Sequence, residues 1–284
     1  MQRSSQRNIM FKSSKKKLII SGCSYTANYA KIQKLEEFPI WGELLADQLN
    51  MELINLSKCG FGNQAIYTTL VDKMIADKNV GLVVAMWTEF QRMSWYIDID
   101  ALDYVGRKRN AASVHKPWQC FLPERIVKDA DWHDRFYKPP AENPKKKSMK
   151  YQLGKMVNDR ELDSIRAGTV QSLGYMFAFQ NICENVGIPY LQLQGCWPVL
   201  AKDPPKFSKT IKQLTNCIID SPYIDSINDN FIGWPIVESI GGYCFDSLLT
   251  KHNYRISLED THPNGEGHKL INKVLHDAYK KIYS

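Results

Sequence analysis

Two segments far apart in the chain carry side chains suited to nucleophilic chemistry. Ser21-Gly22-Cys23-Ser24-Tyr25-Thr26 follows an apolar run and offers a hydroxyl on a sharp turn. Glu259-Asp260-Thr261-His262-Pro263-Asn264 offers an imidazole with two carboxylates just upstream. A serine hydroxyl becomes a useful nucleophile when a base removes its proton. That base needs an acceptor on its other ring nitrogen to fix the tautomer and stabilise the imidazolium. Ser24 as nucleophile, His262 as base, and Asp260 or Glu259 as orienting acid would complete an ester-cleaving set if the fold brings them together. The plainer use of Ser24 is as a helix cap. His268 is read as structural, inside a predicted final helix. Glu259, Asp260, His262 and His268 match no ligand spacing, so neither metal nor cofactor is expected.

The elements that must position these groups alternate in type. Residues 17–22 read as a buried strand, and 51–56 as a second. Residues 80–86 contain the near-continuous apolar run Leu82-Val83-Val84-Ala85, which suits a parallel strand covered on both faces. Between them, Trp41, Leu44, Leu45 and Leu49 share one helical face, and Asn63 is read as the cap of a helix with Ile66, Leu70 and Met74 on its apolar side. Strand–helix alternation of this kind predicts an α/β fold, a three-layer sandwich around a parallel sheet of about five strands. Ser24 then falls just beyond the first strand, where such sheets place their ligand crevice. A helix starting there would add backbone N–H groups that favour an oxyanion. Helical periodicity from about 161 to 185 ends at Gly187, and 188–194 reads as another strand. Residues 197–250 read as loop-rich. A last helix runs from Pro263 to about Tyr283, with Leu270, Val274 and Tyr279 as core candidates.

Of 284 residues, 44% are hydrophobic and 24% charged, the composition of a soluble globular chain. No apolar stretch approaches the roughly 18–20 residues of a membrane span, and Leu18-Ile19-Ile20 is too short for a signal core. Seven irregularly spaced cysteines without a CxxC pair read as reduced thiols, so a cytoplasmic location is expected. The net charge of +7 is concentrated at the N-terminus: Arg3, Arg7, Lys12, Lys15, Lys16 and Lys17 account for all but one unit of it. Residues 1–16 are taken as a flexible basic arm, either a solvated tail or a contact for an anionic partner. Residues 17–284 are taken as one domain. An aromatic- and proline-rich insertion at about 98–150 interrupts it and includes Lys145-Lys146-Lys147.

Gly22-Cys23-Ser24 after a strand resembles the first block of the SGNH (GDSL-type) hydrolase superfamily. Asn55-Leu56-Ser57-Lys58-Cys59-Gly60 resembles its second block, and Asp260-Thr261-His262-Pro263-Asn264 with Gly267-His268 its last. The matches run in order from about residue 17 to the C-terminus. The stretches GCSYT, MWTEFQR, FIGWPI and EDTHPNGEGH also resemble a subgroup found in phage and marine bacterial genomes. The resemblance implies a flavodoxin-like SGNH fold and a Ser-His-acid esterase. It implies an oxyanion hole built from the Ser24 and Gly60 N–H groups, and an acyl ester as substrate, with an acetyl ester on a carbohydrate preferred.

Three departures bear on the site. Cys23 stands where the family has an aspartate. Glu89 stands where an oxyanion asparagine is expected, so it must turn away, be protonated, or yield to a substitute such as Asn63 or Arg92. The family's acid lies three residues before the histidine, at Glu259, whereas Asp260 is two before. The alternative is a catalytically weakened fold that binds an anionic partner through the arm, or serves as a virion or surface-assembly component.

Overall fold

The computed structural model describes residues 15–96, 118–128, 149–199 and 204–284. Most of the expected arm lies outside these residues. So does most of the 98–150 segment, with Trp132, Phe136, Tyr137 and Lys145-Lys146-Lys147.

The chain begins with β1 (Lys17–Ser21), a four-residue helix α1 (Tyr29–Ile32), α2 (Trp41–Gln48), β2 (Glu52–Asn55), α3 (Asn63–Ala76) and β3 (Val80–Trp87). A small antiparallel pair follows, β4 (Met93–Tyr96) with β5 (Trp118–Phe121), and then a short helix α4 at 123–128. Next come α5 (Met149–Asp159), α6 (Ile165–Val186), β6 (Tyr190–Gln194), α7 (Pro204–Ile219), β7 (Phe231–Ile232), α8 (Phe245–His252) and α9 (Gly265–Tyr283). The main sheet has five strands in the order β2-β1-β3-β6-β7, and every pairing in it is parallel. The architecture is the expected α/β sandwich.

Strand periodicity decides which residues meet which helical layer. Leu18 and Ile20 of β1, with Leu82, Val84 and Met86 of β3, face one side, against Trp41 and Leu45 of α2, Phe245 and Leu249 of α8, and Ile271 and Leu275 of α9. Ile19, Val83, Ala85 and Trp87 face the other, against Leu70 and Met74 of α3, Met176 and Phe179 of α6, and Leu214 and Ile218 of α7. The apolar side chains of both sets are almost wholly withdrawn from water. Each valine, leucine, isoleucine, phenylalanine or methionine among them contributes roughly 1.5–3 kcal/mol relative to an exposed side chain.

Several expected boundaries move. No helix starts at Ser24: residues 24–28 form a turn, and α1 is capped by the Asn28 side chain. Pro263 precedes α9, whose cap is Asn264, the side chain accepting from Gly267 N at 3.0 Å. The fully buried line of α9 is His268, Ile271 and Leu275; of the expected core contacts, Val274 and Tyr279 are partly buried against that layer and Leu270 lies beside the line. Helix α6 starts at Ile165 behind the Ser164 cap. Gly187 ends it in the left-handed region at φ 68°. The 197–250 stretch holds α7 and α8. The spacing of Ile211, Leu214 and Ile218 after Pro204-Pro205 already carried the α7 signal.

Candidate active site

The chain order reverses around β1, which lies between β2 and β3, so the crevice beyond the C-terminal ends of β1 and β3 is a topological switch point. Ser24 follows β1, Gly60 lies in the loop after β2, Glu89 follows β3 and Cys196 follows β6. These four loops meet at one end of the sheet. Ser24, Glu89, Arg92, Cys196, Trp197 and His262 are among the residues lining a cleft of about 460 Å³ there.

The nucleophile turn is built from backbone. The Cys23 carbonyl accepts from Thr26 N at 3.1 Å and Ala27 N at 3.0 Å. A Cβ on Gly22 would sit 2.2 Å from Thr26 Oγ1, so only glycine fits. Trp41 Nε1 donates to the Tyr25 carbonyl at 3.1 Å and Asn55 Nδ2 to the Thr26 carbonyl at 3.0 Å, which fastens the turn to α2 and to the β2 loop. In that loop Gly60 has φ 86°, a left-handed conformation that a side chain would strain. Among the described residues, neither Ser24 N–H nor Gly60 N–H donates to a backbone carbonyl.

His262 Nε2 lies 2.8 Å from Ser24 Oγ, and His262 Nδ1 lies 2.6 Å from Asp260 Oδ1. With Asp260 accepting from Nδ1–H, the lone pair on Nε2 faces the serine hydroxyl. Burial pulls the Asp260 carboxyl upward. Its hydrogen bonds to the His262 ring and backbone, the histidine charge and the Tyr29 hydroxyl outweigh that and hold it below the usual carboxylate range. Glu259 is exposed, accepts from the Ser257 hydroxyl at 3.0 Å and makes no contact with His262. Of the two acids left open, Asp260 is the one the fold brings to the imidazole.

The base is held by a short hairpin. Ile256 N donates to the His262 carbonyl at 2.9 Å, and Ser257 N to the Asp260 carbonyl at 3.1 Å. Arg255 clips this hairpin to the rest of the site. It pairs with Asp246 at 2.5 Å, donates to the Tyr25 hydroxyl at 2.8 Å, and donates to the carbonyl of Thr261, next to the base. Tyr25 in turn donates to Asp246 at 2.7 Å. Burial, reinforced by Cys196 and Asp246, raises its phenol far above the ordinary value and keeps it a donor. Tyr29 stacks on the His262 ring at 3.6 Å with an interplanar angle of 12° and donates to Asp260 Oδ2 at 3.1 Å. Sequence reasoning missed Tyr29, Asp246 and Arg255. Tyr29 and Arg255 stand close to the two motifs in sequence but Asp246 does not, and their partners lie up to 231 positions away.

In the loop after β3, Glu89 lines the same cleft and is ion-paired. Arg92 Nη2 lies 2.8 Å from Oε1 and 2.7 Å from Oε2, and the Thr88 hydroxyl donates to the same carboxylate. Burial works against the Arg92 charge, but Glu89 and the two nearby thiols outweigh it, and its pKa is raised. Asn63 is committed elsewhere. Its Oδ1 accepts from Thr88 N at 2.9 Å, and its Nδ2 donates to Ser172 Oγ at 2.9 Å and the Thr88 carbonyl at 3.3 Å. Of the two substitutes considered for the asparagine, Asn63 therefore secures the end of β3, outside the Ser24 cleft, and Arg92 lines that cleft. Cys23 is fully buried behind the nucleophile, its Sγ 3.4 Å from that of Cys196. The hydrogen bond from Cys196, ahead of the opposing effect of burial, lowers the Cys23 thiol to about 7, and Cys196 is raised well above its usual value. His268, on α9, lies against the N-terminal end of α2. Its Nδ1 accepts from Trp41 N at 3.2 Å, and burial lowers its pKa to about 4.

Among the described residues no group of three His, Cys, Asp or Glu side chains is placed to hold a metal, and no helix is long and apolar enough to cross a membrane. No protein-family model and no curated protein matches the sequence. Solved structures similar to the chain include a lipolytic protein of the G-D-S-L family from Desulfitobacterium hafniense, at 14% identity, 93% of this chain, 99% of that one and a TM-score of 0.45. The psychrotrophic esterase EstA from a Pseudoalteromonas species is 13% identical over 94% of this chain and 97% of its own, with a TM-score of 0.44. A catalytic mutant of the acetylxylan esterase Axe2 from Geobacillus stearothermophilus is 9% identical over 93% and 94%, at 0.40.

Proposed function

We propose that the protein is a serine ester hydrolase of the SGNH type. The observation that carries this reading is the continuous chain from Ser24 Oγ through His262 to Asp260, with contacts of 2.8 and 2.6 Å at the mouth of a cleft. Ser24 Oγ attacks the acyl carbon while its proton passes to His262 Nε2, and the carbonyl electron pair moves onto oxygen. The Ser24 and Gly60 N–H groups receive that charge. When the intermediate collapses, the C–O bond to the alcohol breaks and His262 returns the proton to the departing oxygen. Water, deprotonated by the same imidazole, then releases the acid from Ser24. Asp260 keeps the ring oriented and stabilises its charged form.

The cleft lining supports a short acyl group on a polar alcohol. Arg92, Arg125, Glu89 and Asp246 surround the serine, and Trp197 and Val199 supply its apolar wall. A hydroxylated carrier such as a sugar meets hydrogen-bonding groups there, whereas a long acyl chain would bury charge against methylenes. The preferred substrate is therefore an acetyl ester of a carbohydrate.

The test is labelling with a fluorophosphonate, followed by hydrolysis of p-nitrophenyl acetate, its octanoate and an acetylated sugar. Wild-type protein should label and cleave the acetyl esters, and Ser24→Ala should do neither. Labelling that survives in Ser24→Ala overturns the assignment of the nucleophile.

A further inference from the structure

The hydrolase reading leaves the buried Arg92–Glu89 pair in the cleft without a part in the chemical step. Arg92 is almost buried, with 14% of its side chain exposed, and so is its partner Glu89, at 13%. Taking a guanidinium out of water carries a desolvation cost that its hydrogen bonds must offset, so its remaining donors are informative. Only Nη2 meets Glu89. Nε is buried and has no partner at all. Nη1 lies 3.6 Å from where a Cβ on Gly60 would stand, so this end of the guanidinium sits against the residue whose N–H is proposed to receive the oxyanion. A Cβ there would make an ordinary van der Waals contact with the arginine, so it is the left-handed backbone that calls for glycine at position 60.

We propose that Arg92 is a catalytic residue, a charged oxyanion donor in the place where the sequence pattern implies an asparagine, and that Glu89 is its positioning residue. This rests on the hydrolase reading and deepens it. In the resting site Glu89 neutralises Arg92 and, with Thr88, fixes the plane of the guanidinium. When Ser24 attacks, charge appears on the carbonyl oxygen beside Gly60, and a free Arg92 N–H donates to it. A donor held in advance needs no rearrangement when the charge develops. The carboxylate at position 89, which alone would oppose an oxyanion, thereby helps to hold the group that stabilises it. The arrangement also accounts for the ion pair lying within one turn, where Arg92 N donates to the Glu89 carbonyl at 3.1 Å.

The experiment must separate donation by Arg92 from neutralisation of Glu89. Arg92→Ala alone leaves an unpaired carboxylate next to Ser24, so the deciding protein is the double variant Glu89→Gln/Arg92→Ala. It would be compared with Glu89→Gln, Arg92→Lys and wild type in kcat and KM for an acetyl ester. The inhibition constant of an alkylboronic acid, which forms a tetrahedral anion on the serine, would be measured alongside. If Arg92 donates, the double variant has kcat reduced by about 100- to 1000-fold. Its KM changes little, and its boronate affinity falls in parallel. Arg92→Lys, a cation without the planar fork, recovers only part of the rate. A folded double variant that regains wild-type kcat and boronate affinity overturns the donor role while leaving the hydrolase reading intact. Wild-type protein that neither labels with fluorophosphonate nor cleaves any ester overturns both.

Discussion

Asp260 and Glu259 are neighbours in sequence with different surroundings. Asp260 is tied to the imidazole and to Tyr29, whereas Glu259 faces solvent. Asp260→Asn should therefore lower kcat by roughly 10⁴-fold, since the amide favours the wrong tautomer. Glu259→Gln should stay within about twofold (~0.5 kcal/mol), the range of an ordinary surface change. Steady-state kinetics on an acetyl ester checks both, and a larger loss in Glu259→Gln would transfer the orienting role. Tyr29 does two things that substitution can separate. Tyr29→Phe keeps the stack on His262 and loses the hydrogen bond to Asp260, so kcat/KM should fall by about tenfold, the worth of one hydrogen bond to a charged group (~1.5 kcal/mol). Tyr29→Ala removes the stack as well and should fall further. Equal losses in the two variants would show that the ring contact contributes nothing.

At the scale of elements, the site depends on α9 being docked against α2, and His268 is part of that seam. Its Nδ1 accepts from Trp41 N, so protonation removes an acceptor inside the fold. Burial, helped by the charge of His262, lowers its pKa to about 4 from the ordinary 6.5. The unfolded chain then binds the extra proton between those values and the folded chain does not. Stability is complete above about pH 6.5 and is lost as pH falls toward 4, by about 2 kcal/mol at pH 5. Urea unfolding at pH 7 and pH 5 should show this fall in wild-type protein and a flatter dependence in His268→Asn. Much of this layer was legible beforehand. The apolar runs gave β1 and β3 because a strand buried on both faces needs every residue apolar. The Asn63 helix followed from Ile66, Leu70 and Met74, and the Gly187 stop from its left-handed geometry. The first and last motifs gave Ser24 and His262. What escaped depended on distant partners. β5 exists because β4 lies beside it, and no local pattern in Trp118–Phe121 says so. The choice between Asp260 and Glu259 turned on the hairpin built by Arg255, which only the assembled fold defines.

For the molecule as a whole, the sheet separates two cores that share no helix. Leu70 belongs to the α3 side and Leu275 to the α9 side, both fully buried. Leu70→Ala and Leu275→Ala should each cost roughly 2–5 kcal/mol, and the double variant should cost their sum to within about 0.5 kcal/mol. A non-additive remainder well above that would mean the sheet transmits strain between its faces. The closed site also has a history in time. Ser24 and His262 are 238 positions apart and meet only once the segment before α9 has folded over the β1 turn. At cellular elongation rates the ribosome adds that stretch in roughly 10–50 s. For that interval the nascent chain carries a nucleophile without a base, so ester cleavage should switch on only when synthesis has passed His262.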